Sequence, residues 1–72
     1  MKSTTPTWVE ETIAPLPPVA TIKETATALR CSRRSIDRLV ASGRLHSVRQ
    51  EGRRLIPRSA VAEYLRSLES AA

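Results

Sequence analysis

Phenylalanine is missing from these 72 residues, and tryptophan, tyrosine, histidine and cysteine occur once each. A single cysteine, Cys31, cannot close an internal disulfide, so the framework on which small secreted domains rely is excluded and a reducing compartment is expected. With one histidine, His46, beside one thiol, there is no set of metal ligands. Gly43 and Gly52 are the only glycines, too few for a loop that cradles phosphate. No stretch approaches the ~20 apolar residues of a membrane span, and no apolar run follows Met1-Lys2-Ser3. Neither a membrane partner nor a secretory leader is therefore expected. Paired carboxylates and an activated nucleophile are lacking too. The expectation is a non-enzymatic protein with no catalytic residue, no metal and no cofactor. At this length the chain makes one small domain, with a modest core built almost without aromatic side chains.

Lysine is also scarce, at two against ten arginines, and the arginines are clustered. Residues 1–29 and residues 59–72 each carry a net charge of −1. Between them, residues 30–58 hold nine arginines against Asp37 and Glu51, a net +7. A cationic middle in a near-neutral frame suits a polyanion. A basic face kept for solubility would need neither the clustering nor the preference for arginine.

Four of the five prolines lie in the first eighteen residues, which read as an arm. Within it Thr7-Trp8-Val9-Glu10 has the form of a helix-capping box. A short helix over 8–14, docking Trp8, Val9 and Ile13 on the body, and a mobile tail are both compatible with that pattern. The body spans residues 19–68, and residues 69–72 are expected to fray. Thr21-Ile22-Lys23-Glu24 is a second capping box, after which Ile22, Ala26 and Leu29 line one helical face. Ser32 is a good N-cap for a helix that begins at Arg33, buries Ile36, Leu39 and Val40, and stops at Gly43. Two helices joined by about three residues form a helix-turn-helix. Leu45 to Gln50 and Arg53 to Ile56 then flank Glu51-Gly52 as a hairpin wing that ends at Pro57. Val61, Tyr64, Leu65 and Leu68 mark a last helix. The predicted fold is mostly α with a small β-hairpin: a winged helix-turn-helix in the order helix, helix, hairpin, helix.

With Ile36 facing inward, Arg34 and Arg38 fall on the opposite side of the second helix, Ser35 and Asp37 on its flanks, and Arg33 near its start. An arginine fork bridges guanine O6 and N7 or grips phosphate, and Ser32 and Ser35 beside the helix N-terminus suit a phosphate. Asp37 either accepts from cytosine or buttresses Arg33 or Arg38. Arg49, Arg53 and Arg54 form the cationic tip of the wing, with a minor-groove contact in reach. Arg44 and Arg58 read as phosphate contacts. Cys31 reads as a small buried filler of the turn, His46 as an exposed opener of the first wing strand, and Tyr64 as core.

The segments from Thr21 to Ala26, Cys31 to Ile36, Leu39 to Leu45 and Gly52 to Ser59 together resemble the excisionase-type DNA-binding domain. That family is a compact relative of the winged helices of MerR-type regulators. The resemblance spans roughly residues 19–68. It implies that the second helix enters the major groove of double-stranded DNA while the wing reaches the neighbouring minor groove. In function it implies a phage-type excisionase, or recombination directionality factor. Such a protein bends DNA and steers a site-specific integrase, of tyrosine or serine type, toward excision, with further copies bound head-to-tail. The setting implied is the cytoplasm of a bacterial host cell, on the nucleoid. Three positions depart from the family pattern. Arg30 stands where the turn usually has Gly, Arg54 where the second wing strand often has an aromatic residue, and Leu55 where it often has Arg. They leave open which of Arg53 and Arg54 faces DNA, because a slip of one residue exchanges the faces. The alternatives are a small transcriptional regulator using the same surface and an adaptor whose basic face meets an acidic protein. The near absence of sequence outside the DNA-binding segment, where a ligand-sensing module would sit, inclines the reading toward the excisionase.

Overall fold

The computed structural model describes residues 6–71, with side chains through residue 69. The first five residues of the expected arm and Ala72 lie outside it. Seven elements follow one another: α1 (Thr7–Ile13), β1 (Val19–Thr21), α2 (Ile22–Leu29), α3 (Arg33–Ala41), β2 (Val48–Gln50), β3 (Arg53–Pro57) and α4 (Arg58–Ala71). This is the winged helix-turn-helix expected, enlarged by a helix in the arm and a third strand.

The arm is part of the body. Pro6, in an extended conformation, caps α1, and its carbonyl accepts from the Val9 and Glu10 amides at 3.1 and 3.4 Å. That corrects the expected capping box: Thr7 is already inside the helix, and no side chain caps it. Val9 is fully buried, Ile13 packs on the core, and Leu16 is buried just after Pro15. Trp8 remains 43% exposed, but its Nε1 donates to Glu69 Oε1 at 2.7 Å, tying α1 to α4. Of the two readings of the arm, the structure has the docked helix. The same bond falls where fraying was expected, and α4 continues through Ala71.

The central strand β3 pairs antiparallel with β1 on one side and β2 on the other. Ala20 opposite Ile56 places two fully buried side chains on the inner face, while Val19 and Val48 stay exposed on the other. Glu51 and Gly52 both have positive φ, 51° and 79°, which is the type I′ turn that matches strand twist in two-residue hairpins. His46 precedes β2 instead of opening it, because Leu45 plunges into the core and the strand begins only at Val48.

The core draws Val9, Leu16, Ala20, Ala26, Ile36, Leu45, Ile56, Val61 and Leu65 from both ends of the chain. Tyr64 packs against it half-buried, and Leu68 is exposed. Buried Thr25 satisfies its hydroxyl by donating to the Thr21 carbonyl at 2.9 Å. β2 contributes no buried residue, so the wing projects from the body.

Candidate nucleic-acid interface

The two helices of the helix-turn-helix are set by their ends. Thr21 accepts from the Glu24 amide at 3.0 Å while Glu24 Oε1 accepts from the Thr21 amide at 2.9 Å, the reciprocal capping box expected for α2. At the other end Arg30 adopts a left-handed conformation, φ 58° and ψ 44°. Its amide donates to Thr27 O and that of Cys31 to Ala26 O, the pair of bonds that closes a Schellman turn. Arginine does here what glycine usually does. The turn leaves Cys31 exposed, which corrects its expected burial; partial desolvation still pushes its thiol pKa up.

Ser32 then caps α3, accepting from the Ser35 amide at 3.1 Å, with the two hydroxyls also 3.1 Å apart. Gly43, at φ 83°, ends the helix with amide bonds from Gly43 to Val40 O and from Arg44 to Leu39 O. Ile36 is fully buried, while Arg33, Arg34, Asp37 and Arg38 are exposed.

Two grooves flank the exposed crest of α3. On the wing side an open cleft is lined by Lys23 of α2, Arg33 and Asp37 of α3, and Arg53, Arg54 and Leu55 of β3. On the far side a more apolar groove runs between α3 and α4, lined by Leu29, Cys31, Ser35, Arg38, Leu39, Tyr64 and Leu68. The division follows helical geometry. Arg33 and Asp37 lie within about 100° of Ile36 on one side, Ser35 and Leu39 within about 100° on the other, and Arg34 and Arg38 between them at the crest.

In the wing, Arg54 lies directly across from Arg49, and Arg53 across from Gln50. Arg54 shares its face with buried Ile56, and Arg53 shares the opposite face with Leu55. Both nonetheless line the cleft: at a projecting tip, long side chains on either face reach the same opening. Arg44 is exposed just past α3. Arg58 is not in this group. It is half-buried, its Nη1 donates to Leu16 O at 3.0 Å and its amide to Pro18 O at 2.8 Å, so it anchors the arm instead of awaiting a phosphate. The residue that sequence reasoning missed is Lys23. It stands inside the capping box of α2, and only the sheet brings that helix start beside the wing.

No helix among the described residues is long and apolar enough to cross a membrane. A family model described as a helix-turn-helix domain matches residues 21–69, from the cap of α2 almost to the end of α4. No curated protein and no solved structure matches the chain.

Proposed function

The chain belongs to the helix-turn-helix domain family, whose members bind DNA, and from that premise we propose that it reads a specific duplex sequence with α3 and grips the adjoining backbone with its wing. The observation that carries this reading is the cleft that α3 shares with β3, whose walls hold four cationic side chains against the single carboxylate of Asp37. Arg34 and Arg38, at the crest, are the candidate base readers, with Ser32, Arg33, Ser35 and Asp37 around them. Arg49, Arg53, Arg54 and Arg44 supply groove and phosphate contacts. The role is binding, with no chemistry performed on the DNA, in the cytoplasm of a bacterial host cell.

The finer proposal is an excisionase that bends DNA and directs an integrase toward excision; its support is the resemblance of the helix-turn-helix and wing residues. A transcriptional regulator would use the same surface. Two measurements test these levels separately. Selection of bound sequences from a random duplex library should enrich one motif, and affinity for it should fall steeply between low and moderate salt, with a slope near −0.9 per phosphate neutralised. Flat salt dependence would sink DNA binding altogether. Where a site-specific integrase is encoded beside it, adding the protein to that integrase's recombination assay should favour excision, and an unchanged reaction with intact DNA binding would favour the regulator.

A further inference from the structure

Exposed Lys23 faces no partner of its own helix, whose Glu24 is spent on the capping box; it lines the cleft between α2, α3 and the wing. We infer that Lys23 is a DNA-binding residue, and that it acts with Arg33 and Arg53 to seat one sugar-phosphate strand in this cleft, independently of base sequence. The inference rests on the DNA-binding reading above and deepens it.

Three elements converge there. Lys23 stands in the first turn of α2, where the free amides of the helix add a partial positive charge. Arg33 projects from the flank of α3 that turns toward the wing, about 60° from buried Ile36, so it reaches the cleft wall and not the crest that meets base edges. Arg53 and Arg54 close the opposite wall. If α3 lies in the major groove and the wing over the neighbouring minor groove, the strand separating those grooves must pass between them, and that is the position of the cleft. A lysine ammonium, a compact and freely rotating point charge, suits phosphate oxygens better than the fixed edges of a base. The division of work therefore shifts: Arg33 moves from reading to gripping, and Lys23 joins it.

Because phosphate contacts are indifferent to sequence, the test needs no knowledge of the target. Anisotropy of a labelled random-sequence duplex is followed from about 50 to about 200 mM salt for the full chain and for Lys23→Gln and Lys23→Arg. The expected result is a salt slope shallower by about 0.9 for Lys23→Gln, so that its affinity falls roughly threefold less over that range than the unaltered chain's. Lys23→Arg should retain the original slope, since the charge is kept. If Lys23→Gln keeps the full slope while the unaltered chain binds with a steep one, Lys23 touches no phosphate and the inference fails alone. If the unaltered chain shows no salt-dependent binding, the DNA reading fails and this inference with it.

Discussion

Arg30 shows what a single residue contributes to the turn between α2 and α3. A left-handed conformation costs a residue with a Cβ about 1–2 kcal/mol, and Arg30 holds it at φ 58°. Arg30→Gly should therefore stabilise the domain by about 1 kcal/mol, raising the melting temperature by roughly 4–8 °C. Thermal unfolding followed by circular dichroism checks this, and an unchanged or lowered midpoint would mean that the arginine makes compensating contacts. Arg34 and Arg38 sit where substitution separates reading from gripping. Arg34→Ala or Arg38→Ala should cost about 1–3 kcal/mol on the selected motif and reduce its advantage over random duplex. If both leave specificity intact, recognition lies in the wing or in DNA shape. The positions of α3 were legible because helical periodicity alone separates buried Ile36 from Arg34 and Arg38. Cys31 and Arg58 were not, because the first takes its exposure from an arginine in a conformation usually left to glycine and the second meets backbone far away in sequence. An exposed thiol follows from the left-handed residue before it, and the inward guanidinium from a carbonyl 42 residues earlier.

At the scale of elements, the signals that came through were local. The capping box of α2, the Ser32 cap, the stop at Gly43 and the Glu51-Gly52 turn all formed, and each is set by residues within a few positions. β1 did not announce itself. Val19 and Ala20, between Pro18 and the Thr21 cap, carry no periodicity, and the strand they form with Thr21 exists only because β3, more than thirty residues on, offers an open edge. The wing also holds a conflict that its proposed function explains. Arg49 and Arg54 are direct cross-strand neighbours, and next to a two-residue turn this second pair is the non-hydrogen-bonded one, with side chains closest. Like charges so placed destabilise a hairpin by roughly 0.2–1 kcal/mol, a penalty that an intervening phosphate would reverse. Arg49→Thr should consequently raise stability slightly while weakening DNA binding. Chemical denaturation and anisotropy on the same variant give the two signs; a loss of both, or no loss of binding, would remove the wing from the interface.

For the whole molecule, the arm decides whether this is a domain with a tail or one cooperative unit. Val9 and Leu16 lie in the same core as Ile36 and Ile56, and Arg58 and Glu69 hold the arm by hydrogen bonds. Leu16→Ala should cost about 2–5 kcal/mol, a large share of the ~5–15 kcal/mol typical of a domain, whereas a mere tail would tolerate it without a shift in the unfolding midpoint. The docked arm also bears on assembly. It sets α1, with exposed Glu10 and Glu11, against α4, where exposed Glu63 and Glu69 are balanced by Arg58 and Arg66, so the two helices together are net negative beside the cationic helix-turn-helix and wing. Opposite charges on different surfaces favour head-to-tail contacts over a two-fold dimer. The molecule measures 38 Å along its longest axis, close to one turn of duplex, and a single module covers only about 600–1,000 Å² of surface on DNA. One copy is thus expected to bind weakly, and neighbours spaced about a turn apart to strengthen each other through Coulomb contacts that need the DNA to align them. The expected outcome is a monomer in sedimentation of the free protein and a rise in affinity per site as sites are added to the duplex. Charge reversal at Glu10 and Glu11 should abolish that rise while leaving one-site affinity no weaker. A stable dimer without DNA, or one affinity at every site number, would overturn the assembly and leave the single-module reading standing.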